Sequence, residues 1–199
     1  GRLSTNDKYV NSVRKVGERL TAAVESYLKQ NNLESATAGY NWEYNVLVSE
    51  ELNAWCMPGG QIAFYEGIMP VCQDENGIAV VMGHEIAHAV AQHGNERMSQ
   101  QLAIQMSGIA LSEALKTQKQ ETMDLAMLAF GVGAQVGLML PYSRTHESEA
   151  DELGLYFMAM ACYNPQTAPA FWERMSANSG TRPPEFLSTH PDPSNRIED

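Results

Sequence analysis

The segment 75–93 constrains the fold most, because two histidines and a glutamate interrupt a predicted helix that is otherwise almost wholly apolar. These residues are His84, Glu85 and His88. Apolar residues surround them on every side of the helix, namely Ile78, Ala79, Val80, Val81, Ile86, Ala87, Ala89 and Val90. A helix without a polar face is buried, and an ionisable side chain is costly to bury without a partner. The chain must therefore fold so that other polar groups meet these three side chains.

The spacing of the three residues indicates a metal site. His84 and His88 are four apart and lie on one helix face, so both imidazoles can reach one ion at the ~2.0–2.1 Å typical of zinc–nitrogen bonds. Glu85 lies about 100° further round the helix, where its carboxylate can take a proton from water at the open side of the metal. The alternative is a pair of hydrogen-bonded core histidines, which leaves Glu85 unexplained.

A catalytic zinc site needs a third protein ligand, and an acidic segment at the start of a later helix offers one. Glu147 and Asp151 are four apart and share a helix face. Glu147 can therefore bind the metal while Asp151 accepts the free ring N–H of a ligand histidine. Glu149 points elsewhere and is predicted to be solvated. The alternative for the whole cluster is a solvated acidic first turn that faces the helix dipole.

The pattern of apolar residues predicts the α+β class, with a small antiparallel sheet packed on a mainly helical body. A helix is predicted first, over 5–31. Three short strands are predicted to follow it, over 41–49, 54–57 and 61–65. Further helices are predicted over 75–93, 95–118, 120–140, 144–162 and 165–178, with a break at Pro141. The tail 180–199 is expected to be mostly loop, with a last turn near Arg196. The expected organisation is one domain over residues 1–199.

Charge and cysteine content exclude several classes of protein. The chain has 13 Lys and Arg against 24 Asp and Glu, a formal net charge of −11. This charge argues against nucleic-acid binding and against docking on an anionic membrane through a basic patch. Cys56, Cys72 and Cys162 are too few and too widely spaced for a disulfide framework or a Cys-x-x-Cys metal site. Buried free thiols are predicted, with one disulfide as the alternative in an oxidising compartment.

Residues 125–140 form an apolar segment without a charged residue. The segment is shorter than the ~20 residues that a membrane span needs. One interpretation is a buried helix that packs closely through Gly133 and Gly137. The other is an exposed apolar face that makes peripheral contact with a membrane or a partner.

Five motifs are similar to those of a known family. They are NAWCMPGGQIAFYEGIM, HEIAH, SRTHESEAD, ACYNPQTAPAFWERM and LSTHPDPSNRI, within residues 40–197. Together they resemble the zinc metallopeptidases grouped with HtpX, the CAAX prenyl proteases and the mitochondrial inner-membrane protease OMA. The soluble BepA-like and LoiP-like members of the bacterial envelope are the most similar. An ordered set of motifs is far more specific than the five-residue pattern alone.

The resemblance implies a gluzincin fold and one zinc ion per chain. It implies that His84, His88 and Glu147 bind the zinc. Glu85 is then the general base, and Asp151 holds His84 from outside the ligand set.

The resemblance also places Asn53, Ala54 and Trp55 on an edge strand above the metal. Such an edge can pair with an extended peptide through main-chain hydrogen bonds, which tolerate many sequences. The alternative is ordinary sheet pairing with Trp55 in the core.

Two further residues have open roles. The resemblance places His190 near the metal, where it either donates a hydrogen bond to an oxyanion or fills the fourth zinc position and keeps the enzyme latent. A loop histidine that caps local backbone is the third interpretation. Arg144 is expected to pair with a carboxylate beside the site or with the C-terminal tail, unless it is an ordinary surface arginine.

The expected activity is that of a zinc-dependent endopeptidase acting on unfolded or misassembled proteins. The expected location is the bacterial periplasm or envelope, with a lipid anchor in a longer precursor and any C-terminal repeat domain absent from this chain. The alternative is a zinc protein that acts as a chaperone or adaptor for envelope proteins, with its site closed by His190.

Overall fold

A computed structural model of the chain describes residues 1–178, Phe186, Leu187 and His190. The described residues form two compact units. The first unit comprises residues 1–92 and the described residues from Glu147 onward, and the second comprises residues 93–146. One domain over residues 1–199 therefore stays a prediction, whereas the α+β class is confirmed.

The first unit begins with helix α1, Asp7–Gln30, which confirms the predicted helix. The side chain of Asn6 caps it by accepting a hydrogen bond from the backbone N–H of Tyr9. Its apolar residues recur every three or four positions and form a buried stripe, which includes Val13, Val16, Leu20, Val24 and Leu28. This stripe packs α1 against the sheet and against α3.

Three strands form one sheet in the order β1-β3-β2. They are β1, Glu43–Leu47; β2, Ala54–Cys56; and β3, Gln61–Tyr65. Strand β2 pairs antiparallel with β3, but β1 pairs parallel with it, so the sheet is mixed rather than antiparallel. Successive strands run in opposite directions, so β1 and β3 run in the same direction and β2 runs against them. Because β3 lies between the other two strands, its pairing with β1 is parallel. In the described sheet, β2 is an edge strand.

The helices that follow the sheet complete the core of the first unit. They are α2, Met69–Cys72; α3, Glu75–Val90; the part of α6, Leu140–Met160, from Glu147 onward; and α7, Ala168–Ala177. Helix α3 is capped by the side chain of Asp74, which accepts a hydrogen bond from Gly77 N–H. It is buried along nearly its whole length and contacts α1, β2 and α7. The predicted buried helix is therefore confirmed.

The second unit is a helical hairpin. Helix α4, His93–Leu115, is followed by α5, Gln120–Ala134, a π-helical turn, Gln135–Met139, and the start of α6. His93 and His146 are the first and last residues of the second unit, and their rings stack with centroids 4.2 Å apart. Between the helices, Gly108 faces the ring of Phe130.

The predicted helix break at Pro141 is wrong, because the helical run continues from Gln120 to Met160. Pro141 is the second residue of α6 and follows the π-helical turn. Proline is tolerated in the first turn of a helix, where the N–H that it lacks needs no partner. A π turn also shifts the backbone hydrogen-bonding register.

All three cysteines are free thiols, as predicted, but they differ in burial. Cys72 is buried and Cys56 partly so, whereas Cys162 is exposed. Cys162 has φ +60°, in the left-handed region that favours glycine.

Helices α3 and α6 approach to backbone contact at two glycines. A Cβ atom built on Gly83 would lie 2.8 Å from the carbonyl oxygen of Gly154. One built on Gly154 would lie 2.8 Å from the backbone nitrogen of His84. Backbone atoms cannot turn aside as a flexible side chain does, so these glycines set the spacing of the two helices next to His84.

We expect Gly154→Ala to destabilise the first unit by about 1–3 kcal/mol, as overpacking of a tight core does. It should also weaken zinc binding, because it moves α6 away from His84. Gly131→Ala is the control, since a Cβ atom there meets nothing within 4 Å. Thermal unfolding and zinc titration check both, and equal effects of the two substitutions would contradict the role of the contact.

Candidate metal centre

Side chains from three parts of the first unit converge on one point. Helix α3 contributes His84 and His88, α6 contributes Glu147, and His190 comes from the segment after Phe186. One ligand atom from each lies within 4.8 Å of the others. The structure thus brings together the three predicted ligands and His190, from positions up to 106 residues apart.

The spacing of these atoms fits a single zinc ion. His84 Nε2 lies 3.0 Å from His88 Nε2, 3.2 Å from His190 Nδ1 and 3.4 Å from a Glu147 oxygen. The other Glu147 oxygen lies 3.4 Å from His88 Nε2 and 3.1 Å from His190 Nδ1. A tetrahedron with the usual 2.0–2.1 Å zinc bonds has edges of about 3.3–3.4 Å. The donor set, nitrogen with one carboxylate, is also a zinc set.

Asp151 orients the ring of His84. Its Oδ1 atom lies 2.8 Å from His84 Nδ1, so Nδ1–H donates to the carboxylate and the Nε2 lone pair faces the other ligands. The rings of Trp172 and Phe186 pack against the same imidazole, with centroids 6.0 and 5.9 Å away. The ring therefore has one tautomer and little freedom to turn.

Burial and hydrogen bonding set the charge state that a cation requires. Burial lowers the pKa of His88 to about 3, against the opposing effect of Glu147. Burial alone would raise the pKa of Glu147, but its contacts with the ring nitrogens of His190, His84 and His88 outweigh this effect and hold that pKa well below its usual value. At neutral pH the centre therefore offers a neutral imidazole and an ionised carboxylate, the forms that bind metals.

Glu85 lies beside this cluster and is itself buried. Burial raises its pKa, and the nearby His190 and His84 oppose the rise. Among the described residues its Oε1 atom has no hydrogen-bond partner, although His190 Nε2 lies 3.4 Å away. A buried carboxylate oxygen in this state is costly unless a water molecule or an ion meets it. Glu85 is therefore suited to a proton-transfer role.

The edge strand β2 reaches the same carboxylate. A hydrogen bond from the Cys56 backbone lowers the pKa of Glu85. Burial, with a smaller contribution from Glu85, raises the pKa of the Cys56 thiol to about 12, so this thiol is protonated. Of the predicted edge residues, Ala54 is buried, whereas Asn53 and Trp55 are half-buried.

The segment that contains His190 is hydrogen-bonded to the chain next to the edge strand β2. Phe186 N–H donates to the carbonyl of Leu52, just before β2, and His190 N–H donates to the carbonyl of Phe186. Phe186 and Trp172 line the centre without having been predicted as site residues. The sequence signal for Trp172 is that it lies in one of the five motifs, whereas Phe186 lies just before the motif that contains His190. The glycines of the α3–α6 contact had no such signal.

Some predicted features lie elsewhere or outside the described residues. Arg144 is exposed in the second unit, and its pairing with a carboxylate or the tail stays a prediction. Most of the motif that contains His190 and the predicted turn near Arg196 lie outside the described residues.

Comparisons with known proteins agree with this geometry. The model of peptidase family M48 matches residues 14–199. The chain is 35% identical to the mitochondrial metalloendopeptidase OMA1 of Schizosaccharomyces pombe, over 96% of this chain and 57% of that protein. It is 33% identical to OMA1 of Saccharomyces cerevisiae, over 88% of this chain and 51% of that protein.

A bacterial relative matches as well. The beta-barrel assembly-enhancing protease of Escherichia coli is 28% identical over 79% of this chain and 33% of that protein. The chain thus spans about half the length of the first two curated relatives and a third of the bacterial one.

We expect Asp151→Asn to weaken zinc binding about 10- to 100-fold, because the amide cannot hold the His84 tautomer as a carboxylate does. Competition with a chromogenic chelator measures the affinity. Glu152→Gln, the same type of change at the adjacent exposed position, is the control and should bind zinc as the wild type does. Equal affinity of the Asp151 variant would mean that the hydrogen bond does not support the ligand.

Proposed function

The chain belongs to peptidase family M48, and on that premise we propose that it is a zinc-dependent metalloendopeptidase. We propose further that it acts on unfolded or misassembled proteins in the bacterial envelope. The observation that carries the activity is the buried Glu85 carboxylate beside the cluster of His84, His88 and Glu147. A structural zinc site would not need a buried carboxylate next to its ligands.

The cluster supports hydrolysis of a peptide bond. Zinc, when bound, supplies Lewis acidity for the attack of water on a carbonyl group. Glu85 takes the proton from that water and delivers it to the leaving amine. Its raised pKa suits this exchange, because an acid–base group works best when its pKa lies near the working pH.

The edge strand supports a substrate that is an extended chain. Strand β2 uses one side for β3 in the described sheet, and its Cys56 backbone reaches Glu85. A peptide added along the other side would make main-chain hydrogen bonds and would pass beside the carboxylate. Main-chain recognition needs an extended segment rather than a folded surface, which favours unfolded proteins.

The names of the relatives support a protease but refer to two different settings. The name of the bacterial relative refers to beta-barrel assembly, and those of the yeast relatives refer to mitochondria. The bacterial envelope is the setting that we propose for this chain.

We expect Glu85→Gln to lower kcat/KM for an unfolded protein at least 100-fold, about 2.7 kcal/mol, because the amide cannot accept the proton. Zinc content should stay at one ion per chain. Glu173→Gln, at an exposed position on α7, is the control and should keep full activity. Undiminished cleavage by the Glu85 variant would rule out this mechanism.

The position of His190 favours a second candidate, a latent or non-proteolytic zinc protein that serves envelope proteins as a chaperone or adaptor. His190 Nδ1 lies within 3.2 Å of both His84 Nε2 and Glu147. A fourth protein ligand is typical of closed, structural zinc sites. In the latent form of this proposal, His190 occupies the position that a substrate carbonyl needs.

We expect His190→Ala to increase cleavage of an unfolded protein several-fold while zinc stays bound through the other three ligands. Peptide release and zinc content are measured on the same samples. A fall in kcat with unchanged KM would instead assign His190 to the oxyanion. Zinc binding without cleavage in both proteins would favour the chaperone or adaptor.

A further inference from the structure

The second unit, residues 93–146, exposes an unusual amount of apolar surface. Seven apolar side chains that are each more than half exposed belong to its two long helices: Met98, Leu102, Met106 and Ile109 on α4, and Leu125, Leu128 and Val132 on α5. Gly108 and Phe130 lie at the contact between the two helices. These exposed apolar faces are available to a partner outside the hairpin.

The charges of the hairpin are confined to its ends. Residues 98–112 of α4 and residues 125–143 of α5 and early α6 contain no Asp, Glu, Lys or Arg. Charged residues lie in the turn between the helices, 113–124, and at the base, at Glu96, Arg97 and Arg144. The longer uncharged band measures about 28 Å at 1.5 Å per residue, close to the ~30 Å of a bilayer's hydrocarbon core.

The hairpin is also electrically separate from the rest of the chain. It has four basic and four acidic residues and no net formal charge. The remaining 145 residues have 9 basic and 20 acidic residues and carry the whole net charge of −11. The overall acidity therefore does not oppose burial of the hairpin in an apolar medium.

The distribution of uncharged residues favours lipid over a second copy of the chain. A protein partner covers one side of a helical pair and leaves the other side in water, where charged residues are normally found. Here the bands are uncharged all the way round both helices. The most apolar window within Gln120–Met160 is long enough to cross a membrane and is 0% buried. A core helix of a water-soluble protein would be buried.

Two serine side chains of band 98–112 are hydrogen-bonded within their own helix. The hydroxyls of Ser99 and Ser107 donate to the backbone carbonyls of Asn95 and Ala103, one helical turn before them. In lipid, polar groups must find partners inside the protein, and helical backbone with such back-bonded serines meets that requirement.

We propose that the hairpin of residues 93–146 embeds in a lipid bilayer, with bands 98–112 and 125–143 among the acyl chains and the charged turn and base among the headgroups. The attraction is hydrophobic, so it should persist at high salt. Because the rest of the chain is acidic, zwitterionic lipid is the better surface. The proposal is independent of peptidase activity.

The test is flotation of the full chain with phosphatidylcholine vesicles at 0.1 M and 1 M NaCl. We expect the wild type to float at both salt concentrations. For the double variant Leu128→Glu, Val132→Glu, the fraction that floats should be at least tenfold smaller than for the wild type. Leu33→Glu is the control, an exposed leucine of the first unit, and should float as the wild type does. Circular dichroism and zinc content establish that each variant is folded.

A second measurement needs no disruptive substitution. Val132→Cys in a Cys162→Ser background, labelled with an environment-sensitive dye, should show blue-shifted emission with vesicles and quenching by nitroxide lipids. Absence of both signals would overturn the proposal. A lipid-free dimer that the double variant dissociates, together with no flotation of the wild type, would also overturn it and assign these faces to a second copy.

Discussion

The hydrogen bond between His84 and Asp151 is the interaction on which the rest of the first unit depends. It joins two helices that touch backbone to backbone at Gly83 and Gly154. His84 is 2% exposed, so its ring nitrogens need partners inside the protein. Asp151 meets one nitrogen, and the other faces His88, Glu147 and His190. The tight packing of α3 and α6 therefore brings together the polar partners that a buried centre needs in an otherwise apolar core.

The polar centre lies a short distance from the edge strand of the sheet. Glu85 lies between His190 and the Cys56 backbone of the edge strand. The segment that carries His190 is hydrogen-bonded beside that strand through Phe186 and Leu52. Any movement of this segment would alter the fourth position of the cluster and the surroundings of Glu85 together.

The two units divide the physical properties of the chain between them. The first has the buried polar centre and all of the net negative charge, whereas the second is neutral and exposes apolar helix faces. Each property would be a liability in the other unit. Charged side chains on the hairpin would interrupt its apolar faces, and exposed apolar faces around the cluster would surround buried polar groups that need polar partners.

Local patterns determined the α+β class and the bounds of α1, β2 and β3. They also identified His84, His88 and Glu147 as candidate ligands, because helical spacing places such residues on one face before tertiary structure forms. The parallel pairing of β1, the continuous helix through Pro141 and the packing of Gly83 on Gly154 were decided only by tertiary structure. So was the convergence of His190 and Phe186 on α3 across about a hundred residues. Periodicity reports which face of an element is apolar, but strand order, helix contacts and long-range ligands depend on which faces meet.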